Sequence, residues 1–181
     1  MKFIPNILSM LRLILAFCLI HLVLNNNLCF ALVVFAIAAI TDFFDGYLAR
    51  KFSVSSEFGA ALDPVADKIL MTVSYILFAA VAFIPTYVAV IVVGRDVLIL
   101  GAVIACKIKK VPLKIRPIMS SKINTTIQLI FLICVLTCKC TTLNIPYSIE
   151  VFAVVVVCLT IFSGVEYVQK YSWITKQIFK W

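Results

Sequence analysis

Four aspartates, Asp42, Asp45, Asp63 and Asp67, make up half of the eight acidic residues in the chain, and the segments around them are strongly apolar. Carboxylates set in apolar helices are costly, so they mark function and should face a bundle interior. Asp42 and Asp45 are three apart, and Asp63 and Asp67 are four apart. On helices each pair shares one face, with Ala49 one turn after the first pair and Gly59 one turn before the second. Four carboxylates cannot all stay ionised in a low-dielectric site unless cations neutralise them. No histidine or cysteine stands beside them, so the donors are all oxygen, which suits Mg²⁺, Mn²⁺ or Ca²⁺. The set is large enough for two ions, an arrangement suited to attack at phosphorus. Gly46 and Gly59 leave room for a ligand or a helix backbone, and Arg50 is placed to hold a phosphate. Two plainer readings stand beside this one. Charges at helix ends can be merely interfacial, which suits Lys51 and Lys68. An acidic cluster in a membrane can also line an ion pathway, as in a cation channel or transporter. Geometry alone leaves metal site and ion pathway both open.

The elements that must position these residues follow from composition. The chain is 64% hydrophobic and 13% charged, with mean hydropathy +1.16, which indicates an all-α integral membrane protein rather than a soluble domain. Its 181 residues suit one domain, 1–181, of six transmembrane helices, because spans of about 20 residues each with short links use nearly all of it. The apolar runs are 7–24, 28–49, 58–83, 87–106, 118–137 and 147–168. Turn residues separate them: Asn25 to Asn27, Ser53 to Ser56, Pro85, Pro112 with Pro117, and Asn144 with Pro146. The link between the second and third runs is short, which predicts antiparallel neighbours whose carboxylates converge. The net charge of +8 reads as basic loops against anionic lipid, not as a nucleic-acid surface. Arg50 and Lys51, then Lys107, Lys109, Lys110, Lys114 and Arg116, then Lys170, Lys176 and Lys180 all fall on the side that holds both termini. That side is expected to be cytoplasmic, or the matrix side of an organelle; His21 and Lys139 fall opposite. The tail after Lys170 reads as an interfacial segment or an ordinary helix end. No cleavable targeting segment is expected, since Met1 to Pro5 is too short for a basic leader region. Cys18, Cys29, Cys106, Cys134, Cys138, Cys140 and Cys158 mostly lie in apolar runs, where cysteine packs as a small hydrophobe. Cys138 and Cys140 are a close pair without further ligands nearby, so neither a metal site nor a disulfide is expected there.

The full pattern, Asp42-x2-Asp45-Gly46-x2-Ala49-Arg50-x8-Gly59-x3-Asp63-x3-Asp67, resembles the signature of the CDP-alcohol phosphatidyltransferases. The resemblance extends over essentially the whole chain. "IPNILSMLR" and "LDPVADKIL" are similar to segments of both the phosphatidylglycerophosphate synthases and the CMP-forming cardiolipin synthases of that family. "GRDVLIL", with Arg95-Asp96, and "SKINTTIQL", Ser121 to Leu129, look like the cardiolipin type. The other group usually carries Arg-Glu and a Gly-Lys-x-Lys-Thr pattern at those places. The resemblance implies a homodimer of six-span subunits, a multi-pass protein of a bacterial cytoplasmic membrane or the mitochondrial inner membrane. It implies that Asp42, Asp45, Asp63 and Asp67 bind two divalent ions, Mg²⁺ or Mn²⁺, and that Asp67 is also the base for the acceptor hydroxyl. Gly46, Ala49, Arg50 and Gly59 would line the CDP moiety of CDP-diacylglycerol. The implied acceptor is phosphatidylglycerol, giving cardiolipin and CMP, with glycerol 3-phosphate as the alternative. Lys114, Arg116 and Lys122 could meet the acceptor phosphate or simply set orientation. Arg95 is expected to contact an acceptor phosphate or a site carboxylate, or else to anchor helices. As chain neighbours, Arg95 and Asp96 need not bridge each other.

Overall fold

The computed structural model describes residues 4–52, 57–108, 119–141 and 146–178, with side chains placed for 10–41, 68–102, 119–141 and 147–169. Six helices follow one another: α1 Ile4–Leu24, α2 Leu28–Phe52, α3 Glu57–Ala80, α4 Thr86–Ile108, α5 Met119–Cys140 and α6 Pro146–Ile178. Each apolar run thus becomes one helix. Pro146 opens α6, where its missing N–H costs no intrahelical bond.

Two helix ends are closed by the same backbone device. After α1, Asn26 takes a left-handed φ of 57°. The Asn27 N–H then reaches the Leu22 carbonyl (2.9 Å) and the Asn26 N–H the Val23 carbonyl (3.1 Å). Asparagine tolerates this conformation, which explains why the triple-Asn turn was legible. After α3, Ala82 does the same at φ 55°, with the Phe83 N–H on the Phe78 carbonyl at 2.8 Å. The rings of Phe78 and Phe83 meet edge-on at 5.9 Å, the apolar contact that accompanies such a cap. The third run was expected to continue to 83; the left-handed alanine stops the helix at Ala80. The C-terminal tail, in contrast, stays helical to Ile178.

The helices pack as a closed ring in the order α1, α2, α5, α6, α4, α3, with α3 returning to α1. The ends of α2 and α4 and the starts of α1, α3 and α5 share one end of the bundle, which carries the aspartate positions. Phe35, Tyr75, Phe78, Val88, Phe131, Leu132, Val135 and Val156 fill the far half. Among the described residues, α1 packs on both α2 and α3, which do not form a substantial packed pair with each other. The expectation of direct neighbours is corrected accordingly. Ala16, Ala38 and Leu70 meet where α1 enters between them, small side chains permitting the approach.

Apolar side chains also point outward from every helix, among them Met10, Phe30, Ile76, Leu98, Ile130 and Phe162. By length and composition, Met119–Cys140 and Tyr147–Gln169 can cross a membrane. Met10–Leu24, Leu28–Thr41 and Lys68–Ala80 are shorter apolar stretches among the described residues.

Cys29 and Cys140 form a disulfide, with Cα atoms 4.9 Å apart. This corrects the reading of both as packing residues. Antiparallel α2 and α5 bring the start of one against the end of the other, and a separation of 111 residues hides that proximity in the sequence.

Candidate active site

Asp42, Asp45, Gly46, Ala49 and Arg50 lie in the last turns of α2, and Gly59, Asp63 and Asp67 in the first turns of α3. Their side chains, and all of Lys114 and Arg116, lie outside the described residues. The helix register nevertheless continues from a contact that is described. Positions 38, 42, 45 and 49 form one stripe on α2, and 59, 63, 67 and 70 form one stripe on α3. Ala38 and Leu70 are the members of these stripes that touch Ala16. One turn beyond that three-helix contact, both stripes turn from apolar to acidic. The contact lies between α2 and α3 just inside the aspartate positions. An all-oxygen donor set distributed on two such stripes fits hard divalent ions. Pro64 adds a local feature: without an N–H it cannot bond the carbonyl one turn back, between the positions of Asp63 and Asp67.

α1 contributes a residue that the spacing of carboxylates did not reveal. Arg12 is one turn from Ala16 toward the aspartate end and only 1% exposed. A guanidinium so buried requires partners. Its sequence signal was an arginine inside the first apolar run, part of "IPNILSMLR".

Behind α3 lies a polar seam spanning four helices. Lys68 Nζ donates to Asp96 Oδ2 at 2.6 Å. Arg95 donates to Asp96 Oδ1 at 2.7 Å, to Ser121 Oγ on α5 at 2.7 Å and to Ser163 Oγ on α6 at 2.8 Å. Arg95 and Asp96 do bridge, because the long arginine side chain folds back across the helix step to pair in a desolvated interior. Arg95 is thus committed to joining α4, α5 and α6. Lys68, read as an interfacial charge, is an ion-pair member instead. Lys122 is exposed on α5 and outside this seam. One layer deeper, Tyr75 Oη donates to the Gln128 carbonyl (3.1 Å), Gln128 Nε2 to Thr160 Oγ1 (3.0 Å) and Thr160 to Asn124 Oδ1 (3.1 Å). In apolar surroundings such groups must satisfy one another, so the seam ties helices together.

A cavity of about 420 Å³ lined by Phe83, Pro85, Lys139 and Glu150 lies at the opposite end and takes no part in this site.

A family model for CDP-alcohol phosphatidyltransferases matches residues 2–165. The chain belongs to the CDP-alcohol phosphatidyltransferase family. It is similar to "Cardiolipin synthase (CMP-forming)" of Rattus norvegicus, 36% identical over 143 residues, covering 70% of this chain and 47% of the rat protein. The Homo sapiens counterpart is likewise 36% identical over 143 residues, covering 70% of this chain and 48% of its own length. The "CDP-diacylglycerol--glycerol-3-phosphate 3-phosphatidyltransferase" of Aquifex aeolicus (strain VF5) is 37% identical over 113 residues, covering 60% of this chain and 63% of that protein. The match thus spans about half the length of the rat and human relatives.

Proposed function

We propose that this chain is a membrane enzyme of phospholipid biosynthesis that transfers a phosphatidyl group from CDP-diacylglycerol to phosphatidylglycerol, yielding cardiolipin and CMP. The observation that carries the reading is the pair of acidic stripes leading out of the Ala16–Ala38–Leu70 contact. The rat and human relatives supply the choice of acceptor. The outward-facing apolar side chains on all six helices support six spans in lipid.

In the proposed reaction a terminal glycerol hydroxyl of phosphatidylglycerol attacks the β-phosphorus of CDP-diacylglycerol. A phosphodiester P–O bond forms while the bond to the CMP oxygen breaks. Asp67 takes the hydroxyl proton. Gly46, Ala49, Arg50 and Gly59 line the CDP moiety, with Arg50 on a phosphate. Asp42, Asp45, Asp63 and Asp67 would hold two divalent ions, Mg²⁺ or Mn²⁺, whose charge would neutralise that of the phosphates. Lys122, with Lys114 and Arg116, meets the acceptor phosphate. In-line positioning and charge complementarity supply most of the rate enhancement. The working form is a homodimer in a bacterial cytoplasmic or mitochondrial inner membrane, with the aspartate end toward the cytoplasm or matrix.

The Aquifex relative favours a second reading in which glycerol 3-phosphate is the acceptor. Purified protein is offered CDP-diacylglycerol and Mn²⁺ with each acceptor separately, and products are separated chromatographically. Cardiolipin is expected from phosphatidylglycerol. Turnover of glycerol 3-phosphate alone would replace the first reading with the second, and turnover in excess EDTA would remove the metal from both.

A further inference from the structure

Among the described residues, the polar seam contains more positive charge than its own neutrality requires. Asp96 is 7% exposed and accepts from two cations, one on each carboxylate oxygen. Arg95 alone would neutralise it, and Arg95 is already fixed by Ser121 and Ser163. Lys68 is the surplus member. Its side chain is 32% exposed, and among the described residues the ion pair with Asp96 is its carboxylate contact. Lys68 immediately follows Asp67, about 100° around the helix from the acidic stripe. An unrestrained lysine at that point could swing toward the carboxylates, where a monovalent ammonium would compete with divalent ions for the same negative charge.

We infer that Asp96 is a positioning residue that acts through Lys68: it holds the ammonium against α4 and keeps it from occupying the carboxylate site on α2 and α3. The inference rests on the reading of that site as a divalent-metal site. Arg95 gives Asp96 a fixed orientation, so the restraint is built from α4, α5 and α6 together and does not depend on the metal.

The test measures Mn²⁺ binding directly, from the free-ion paramagnetic resonance signal during titration of the purified full chain. Asp96→Asn keeps shape and an oxygen for Arg95 but removes the charge that holds Lys68; it is expected to weaken Mn²⁺ binding about tenfold. Adding Lys68→Met to that variant is expected to restore binding to within about twofold of the unsubstituted protein. A merely structural role for Asp96 would not be rescued by deleting its partner, so failure of that rescue overturns the inference. So does a binding constant for Asp96→Asn that stays within twofold. Lys68→Met alone needs no change at Asp96 and covers the case in which Asp96→Asn does not fold. It is expected to bind Mn²⁺ at least as tightly as the unsubstituted protein, and tenfold weaker binding would make Lys68 a contributor and overturn the inference. If the unsubstituted protein binds no Mn²⁺, the metal reading itself falls and takes the inference with it.

Discussion

Arg95 and Asp67 illustrate two ways in which a charged side chain can matter inside an apolar bundle. Arg95→Ala removes three donated hydrogen bonds at once, stranding the Ser121 and Ser163 hydroxyls and one Asp96 oxygen. Breaking a buried pair in this way costs roughly 3–5 kcal/mol, so a clear fall in the thermal midpoint in detergent is expected. Lys122→Ala, at an exposed position, should leave that midpoint where it was. Asp67→Asn is expected to do the opposite of Arg95→Ala: the fold and its midpoint persist while CMP release from CDP-diacylglycerol is lost. Normal turnover by Asp67→Asn would remove Asp67 from the role of base. The sequence made the anomaly at Arg95 visible, since an arginine–aspartate pair within an apolar run demands an explanation. Its partners were not visible, because Ser121 and Ser163 are ordinary small residues far along the chain and only helix packing brings them together. Arg12 escaped notice for a related reason: a lone arginine has no spacing partner on its own helix.

α1 packs on both α2 and α3, the helices that carry the acidic stripes, although it carries none of the signature residues. Ala16 is 4% exposed where α2 and α3 close on it. Ala16→Leu would overfill that contact at a cost of about 1–3 kcal/mol and push α2 and α3 apart one turn inside the aspartate positions. Weaker Mn²⁺ binding and slower CMP release are expected, whereas Phe17→Leu, on the outward face of the same turn, should change neither. Equal effects of the two substitutions would show that the three-helix contact does not set the site. The number, order and approximate bounds of the helices were legible, because each apolar run has the length of a span and most breaks carry Asn, Pro or Ser. The end of α3 was not, since nothing in the residue type of Ala82 announces a left-handed backbone. Nor was the ring order: short links suggest that sequence neighbours pack, yet α1 is accommodated between α2 and α3 through the small side chains at Ala16 and Ala38.

The ring of six helices divides into a far half packed with apolar side chains and a near half where polar pairs and the aspartate positions gather. On the proposed reading, this division places the packed half beneath the chemistry and leaves the near end for charged ligands. At the far end, the disulfide between Cys29 and Cys140 pins α2 to α5. Closing a loop on the order of 100 residues is worth up to about 4.7 kcal/mol by chain-entropy reckoning. Reduction, or Cys29→Ser, is therefore expected to lower the thermal midpoint and to slow migration in a denaturing gel run without reductant. An unchanged mobility in both would remove the bridge. The same bond has a topological consequence. It converts everything from Cys29 to Cys140 into a covalent ring that encloses all four aspartates, Lys68 and the Arg95–Asp96 pair, while α1 and α6 hang from it as open ends. A protease nick anywhere between 109 and 118 should accordingly leave a one-piece molecule, which separates into two only when the thiols are regenerated.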